Sequence, residues 1–382
     1  MFKKGTYLFN ENENFNFQLN RVVMWDGGDE KELSEVGKDI HDSSSWVETM
    51  KMLAIKAEKE NRKEQAIAYW RMCEFFLYDT DQEKLKIYLK SIEMFNEYYH
   101  HYFDKEIVKK YEIPYQNGYL PVMYTKAKGE VKDTILLCGG NDSYYEEFFL
   151  PMLYLAQKGF DVYIFEGPGQ GGVLRNQNIK FTHEWEKPVT AILDYFHLDD
   201  VTLIGASLGG YLAPRAGAFD KRIQRIIGWS IFPDFFDVLI CDHSPLFRKI
   251  MDKAFQWKIT APFNFLYKKM MEQDEVVRWN LLHGMYAYGA NSPVEYVKKI
   301  RQFSLKKIAD QITQDVLIIG AKEDHFIYPY LFKEEYDLLK NVRSLTFRLL
   351  TNQQDAGSHC NVGNTKLVLD CMADWIWRLK NE

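Results

Sequence analysis

The chain has 382 residues, 46% of them apolar and 27% charged, and a formal net charge of −6. That balance fits a soluble globular protein larger than one ordinary domain. An acidic chain with no block of Lys and Arg argues against nucleic acid as a partner. No run of ~18 apolar residues is present, so no membrane span and no membrane partner are expected. The start, Met1-Phe2-Lys3-Lys4 and then polar residues, lacks the apolar stretch of a signal peptide. Five cysteines, Cys73, Cys138, Cys241, Cys360 and Cys371, show neither CxxC nor metal spacing. A cytoplasmic chain with free thiols, no metal and no cofactor is the expectation.

Residues 1–28 are polar and Asn-rich without periodicity, and are expected to form an irregular arm. From residue 29 to 103 the pattern is helical. Trp46, Met50, Leu53, Ala54 and Ala57 share one face, with Asp42-Ser43-Ser44-Ser45 as capping candidates. Ala66, Trp70, Cys73 and Leu77 form a second face, and Leu85, Tyr88, Ile92, Phe95 and Tyr99 a third. An N-terminal helical domain over residues 1–105 follows.

At residue 107 the period changes to two. Residues 107–112 and 119–126 read as a hairpin at a sheet edge, with Pro114-Tyr115-Gln116-Asn117-Gly118 as the turn. Short apolar runs at 134–138, 162–165, 201–204, 223–229, 316–319 and 344–349 read as strands. Helical patterns lie over 145–158, 183–196, from 207 onward, 330–340 and 365–380. This β-α alternation predicts an α/β fold over residues 106–382, a mostly parallel sheet flanked by helices. Residues 231–313 break the alternation. They are helical in pattern and rich in aromatics, among them Phe232, Phe235, Trp257, Trp279 and Tyr286. Asn291-Ser292-Pro293 marks a helix start there. An insertion of this length between two strands is most simply a helical cap over a site.

The chemistry gathers on Gly205-Ala206-Ser207-Leu208-Gly209. It follows a predicted strand and opens a predicted helix, the context in which Gly-x-Ser-x-Gly forms a tight turn with an exposed serine hydroxyl. The glycines let strand and helix pass without a side-chain clash, and the helix N-terminus aims its N–H groups at any oxyanion formed there. Pro214 falls on the second turn of that helix, where a bend is expected away from Ser207.

A serine nucleophile needs a base and an acid, in the chain order Ser, acid, His. Asp324 stands at the carboxyl end of one later strand and His359 in the loop after the next. The roles follow from charge flow: His359 as general base, Asp324 as the group that holds the imidazole. Glu323, His325 and His183 are weaker competitors. An oxyanion hole takes Leu208 N–H as one donor and Asn141 N–H as the other, with Gly140 as the alternative. Asp142 either caps the next helix or contacts substrate. Trp279, His283 and Phe232 are the other candidate substrate contacts. Glu166-Gly167-Pro168-Gly169-Gln170-Gly171-Gly172 lacks the lysine of a phosphate loop and reads as a tight structural loop beside the site.

These motifs resemble the α/β-hydrolase superfamily. Within it, the Gly139–Ser143 stretch, the Gly167–Gly171 loop, the Gly205–Gly210 turn, residues 320–324 and Gly357-Ser358-His359-Cys360 are similar to the branch of FrsA-type esterases and 2,6-dihydroxypseudooxynicotine hydrolases. The helical module before the sheet is similar as well. The resemblance implies a Ser207–Asp324–His359 triad acting on a small-molecule ester, thioester or related acyl substrate, apolar or aromatic in character. Carbon–carbon hydrolysis of a β-diketone-like compound is the second enzymatic expectation. That chemistry in the branch goes with a glutamate where Asp142 stands, and the shorter acid departs from it. A non-catalytic receptor of the same fold is the expectation from another class, and a homodimer is a further one.

Overall fold

A computed structural model describes residues 2–240, 244–256 and 261–381, with the side chains of residues 245, 252, 256, 261 and 276 left out. Cys241 and Trp257 lie outside the described residues. The chain divides into two compact units, Met1–His101 with Asp242–Lys299, and Tyr102–Cys241 with Ile300–Glu382. The middle of the long insertion therefore clusters with the N-terminal helices, while both its ends belong with the sheet.

In the helical unit, Asp42 caps Ser43–Lys59 in a reciprocal box with Ser45. Asp81 caps Gln82–Tyr98. Trp46 stands at the centre: Phe15 lies 5.8 Å and Phe76 5.0 Å from it, ring to ring. Residues 1–28 differ from the irregular arm expected of them. Glu13–Trp25 is a helix, capped by Asn12. Its residues from Phe17 to Met24 are all buried, polar Gln18, Asn20 and Arg21 included. A helix buried all round shows no apolar stripe, which hid it from a periodicity reading. Leu85, placed on a buried face by spacing, is 44% exposed, and Lys84 takes the buried position beside it.

The second unit holds an eight-stranded sheet: β1 (Val108–Tyr115), β2 (Gly118–Thr125), β3 (Asp133–Cys138), β4 (Phe160–Phe165), β5 (Val201–Ala206), β6 (Ile223–Trp229), β7 (Asp315–Ala321) and β8 (Ser344–Leu350). The order across it is β1-β2-β4-β3-β5-β6-β7-β8. β1, β2 and β4 pair antiparallel, and every pairing from β4 to β8 is parallel. β5 is buried along its whole length, as a strand covered on both faces must be. The edge hairpin turns more tightly than expected. β1 runs through Pro114, which pairs with Tyr119, and only Gln116 and Asn117 form the turn. A proline is tolerated because β1 is an edge strand with one side free of ladder bonds. Among the described residues no helix is long and apolar enough to cross a membrane.

The amino ends of the central strands are tied by charge. Arg225 of β6 forks onto Asp133 of β3 at 2.9 Å through each of two nitrogens, and Thr202 of β5 joins both. These side chains are almost fully buried. Asp133→Ala leaves the guanidinium short of its buried partner, so a loss of about 3 kcal/mol is expected in urea denaturation. The site at the opposite strand ends should keep its geometry in the folded fraction.

Candidate active site

Ser207 follows β5 and precedes the helix Gly209–Phe219. Its φ is +57°, a left-handed backbone that costs a non-glycine residue about 1–2 kcal/mol. Ser207 N–H donates to Trp229 O at 3.0 Å, and Ser207 O accepts from Gly210 N–H at 2.8 Å. The turn leaves no room at position 205, where a Cβ would lie 2.1 Å from Gly209 O. Pro214 is the sixth residue of the helix, so Gly210 C=O lacks its helical donor on the second turn.

His359 reaches this serine from the loop after β8. Its Nε2 is 2.8 Å from Ser207 Oγ, and its Nδ1 is 2.7 Å from Asp324 Oδ2. Asp324 lies just past β7, and its Oδ1 accepts from the N–H groups of Phe326 at 2.9 Å and Ile327 at 3.0 Å. The carboxylate is thus fixed by backbone donors on one oxygen and presents the other to the imidazole. Nδ1–H donating to Asp324 leaves Nε2 as an acceptor for the serine hydroxyl, the tautomer assigned here from this network. Asp324 and His359 are both buried. Burial alone pulls the imidazole pKa down; the Asp324 carboxylate, with Cys360, outweighs it and holds the pKa well above the ordinary histidine value. The ring of Phe326 meets His359 edge-on at 5.2 Å.

The loop after β3 runs directly beside the serine. A Cβ at Gly140 would lie 2.7 Å from Ser207 Cβ and 2.8 Å from Leu208 N, so only glycine allows this approach. Gly140 N–H donates to Ser143 Oγ at 2.9 Å, which engages the alternative oxyanion donor. Leu208 N–H meets no acceptor among the described residues. Asn141 and Asp142 stand next along the loop, both half-buried.

Phe232 lies beside the serine helix, its Cβ 3.1 Å from where a Cβ at Gly210 would stand. Phe232 packs on Phe235 at 5.5 Å, and its N–H donates to Glu335. Burial pushes the Glu335 carboxyl up to about 8. Trp279 and His283 sit in the helical unit, one turn apart on Glu275–Tyr288 and stacked at 5.1 Å. Trp279 rests on Phe75 and Phe76, and His283 pairs with Asp79 at 3.1 Å. Glu323, exposed, accepts from Asn352 N–H and braces the loop before His359. His325 is held well down, to about 4, mainly by burial.

Three residues support the site in roles that the sequence alone did not mark. Asn361, two after His359, accepts from Trp229 Nε1–H at 3.1 Å and donates to Ala356 O at 2.7 Å. Cys360 and Asn361 both have positive φ, 48° and 53°, a second strained turn beside the base. Glu166, after β4, accepts from Tyr145 N–H and Gly172 N–H, and burial raises its carboxyl to about 7. An acid or amide set among loop glycines was the available signal. Among the described residues no group of three or more His, Cys, Asp or Glu could hold a metal ion.

A mostly parallel, helix-covered sheet with a strained serine at the end of its central strand defines a doubly wound α/β enzyme fold. The chain belongs to the α/β-hydrolase family, whose description it matches over residues 133–347. It is 30% identical over 290 residues to the 20-hydroxy-prefusarin hydrolase FUS2 of Gibberella moniliformis, covering 69% of this chain and 67% of that protein. The α/β hydrolase psoB of Aspergillus fumigatus is 26% identical, with 86% of this chain and 84% of that one covered. Among solved structures, 2,6-dihydroxy-pseudo-oxynicotine hydrolase superposes with a TM-score of 0.65 at 18% identity, covering 94% of each chain. Family and hydrolase relatives together make this chain a hydrolytic enzyme.

Asn361→Ala removes three buried hydrogen bonds, to Trp229, Gly320 and Ala356, and puts alanine in a left-handed turn. A stability loss of about 2–3 kcal/mol is expected by thermal or urea unfolding. Turnover at temperatures where the variant is folded should also fall, because the His359 loop loses its tie to the Trp229 indole.

Proposed function

We propose that this enzyme is a serine hydrolase of a small ester, thioester or related acyl compound, working through an acyl-enzyme on Ser207. The observation that carries the reading is the line Asp324–His359–Ser207, with contacts of 2.7 and 2.8 Å. Such distances lie within the reach that proton transfer requires.

Ser207 Oγ attacks the substrate carbonyl carbon while its proton passes to His359 Nε2. The carbonyl π pair moves onto oxygen, where Leu208 N–H and Asn141 N–H receive it. Each such donor is worth about 3–4 kcal/mol in related chemistry. Collapse re-forms the C=O bond and expels the leaving group, which takes the proton from His359. Water then repeats the cycle: it gives a proton to His359, attacks the acyl carbon, and Ser207 leaves reprotonated. The Asp324 carboxylate stabilises the imidazolium in both halves. Phe232, Phe235 and Phe303 cluster in the unit that carries Ser207, which supports an apolar acyl or leaving group. A relative named for 20-hydroxy-prefusarin supports a small organic substrate.

Ser207→Ala should lower kcat for p-nitrophenyl ester hydrolysis by about 10⁴-fold or more without loss of fold. Turnover within an order of magnitude of the unaltered enzyme removes the assignment.

The acid side of the pH profile follows from His359. It acts only when neutral, and its pKa is raised, so kcat/KM should climb with pH through a midpoint above 6.5. In Asp324→Asn the raising charge is gone. The midpoint should move to lower pH, and kcat should drop by about 10³–10⁴-fold. An unmoved midpoint would separate His359 from the limb.

A further inference from the structure

In the loop after β4, one residue does more than close a turn. Gln170 is almost completely buried. Its side-chain amide nitrogen donates to two successive carbonyls of the neighbouring loop, Gly139 O at 2.9 Å and Gly140 O at 2.8 Å. Its side-chain oxygen accepts from Gly167 N–H at 2.9 Å, which pins the amide to its own loop and sets which end faces Gly139 and Gly140. Both amide hydrogens are thereby used.

Peptide planarity carries the consequence. In a trans peptide the C=O and N–H point in opposite directions. Two consecutive carbonyls drawn to one side put the two following N–H groups on the other. Those are the N–H groups of Gly140 and Asn141. Consecutive N–H groups turned to one side make a concavity suited to an anion. The first donates to Ser143 Oγ at 2.9 Å, which verifies the direction for that peptide. The second, Asn141 N–H, is aimed by the same fork. This stretch lies against the serine turn, since a Cβ at Gly140 would touch Ser207 Cβ and Leu208 N.

We infer that Gln170 is a positioning residue for the reaction: it orients the Gly140–Asn141 peptide so that Asn141 N–H faces the developing oxyanion. The inference rests on the serine-hydrolase reading above. Gln170 touches no reacting atom and acts only through the peptide it holds. An unanchored loop could rotate that peptide and present a carbonyl, which repels an oxyanion where the N–H attracts it.

The test compares Gln170→Leu with the unaltered enzyme on p-nitrophenyl acetate and on an aryl trifluoromethyl ketone, whose adduct on serine carries an oxyanion. A fall in kcat/KM of about 10²-fold is expected. The inhibition constant of the ketone should rise by a similar factor, and the midpoint of the acid limb should stay where it is, because His359 and Asp324 are untouched. A merely structural role would lower the melting temperature and move neither ratio in the folded fraction. Should Gln170→Leu not fold, Gln170→Met, close in length, is measured instead with the same expectation, since its thioether donates to neither carbonyl. Unchanged ketone affinity in a folded variant overturns the inference. Ser207→Ala is run alongside. If it keeps turnover, the serine reading has failed. If it is inactive while Gln170→Leu is within about threefold of the unaltered enzyme, only the positioning role has.

Discussion

The left-handed backbone of Ser207 is the constraint on which the rest of this structure depends. A side chain at φ +57° is unfavourable by itself, and the chain surrounds it with compensations. The preceding strand, β5, is buried from end to end and hydrogen-bonded on both sides, so it cannot relax to relieve the turn. Ser207 N–H is held by Trp229 O from the adjacent strand. Glycine at 205 lets Gly209 O pass, and glycine at 140 lets a second loop come within contact of the serine. Any side chain at either position would push the turn apart. What the strain secures is a hydroxyl that stands clear of the sheet with a helix N-terminus behind it.

The same logic recurs on the opposite side of the hydroxyl. His359 is followed by two more left-handed residues, Cys360 and Asn361. Trp229 links the two strained turns. Its carbonyl holds Ser207 and accepts from the Cys360 thiol at 3.6 Å, while its indole holds Asn361. One residue at the end of β6 thus sets the spacing between serine and imidazole. Asp324 completes the line from β7, with backbone N–H groups fixing the carboxylate oxygen that the imidazole does not use. Rigidity here comes from strand ends and buried amides, which is how a loop-built site keeps angstrom-level geometry.

The sheet was legible because parallel strands buried on both faces read as apolar runs, and five of the six runs in the β-α series differ from the observed strands only by one or two residues at either end. The serine, acid and histidine were legible because their chemistry demands an order and a strand-end placement. What stayed hidden shares a cause. The helix Glu13–Trp25 is buried all round, so its sequence carries no stripe, and polar Asn20 and Arg21 bond to Tyr7, Asn16 and Gln18 instead of marking a solvent face. Asn361 and Trp229 meet side chain to side chain, Glu166 and Gln170 act through backbone groups of neighbouring loops, and such bonds leave no periodic or spaced signature. Trp279 and His283 were marked by their place in an aromatic, helical insertion, and their rings also have partners within the helical unit.

The most direct measurement of the central claim is covalent. The enzyme is treated with a fluorophosphonate, and the intact mass and the digested peptides are read by mass spectrometry. The expected result is a single phosphonyl adduct on the peptide containing Ser207, formed more slowly as pH falls and His359 takes up its proton. An adduct on another serine, or none while ester hydrolysis continues, would contradict the account.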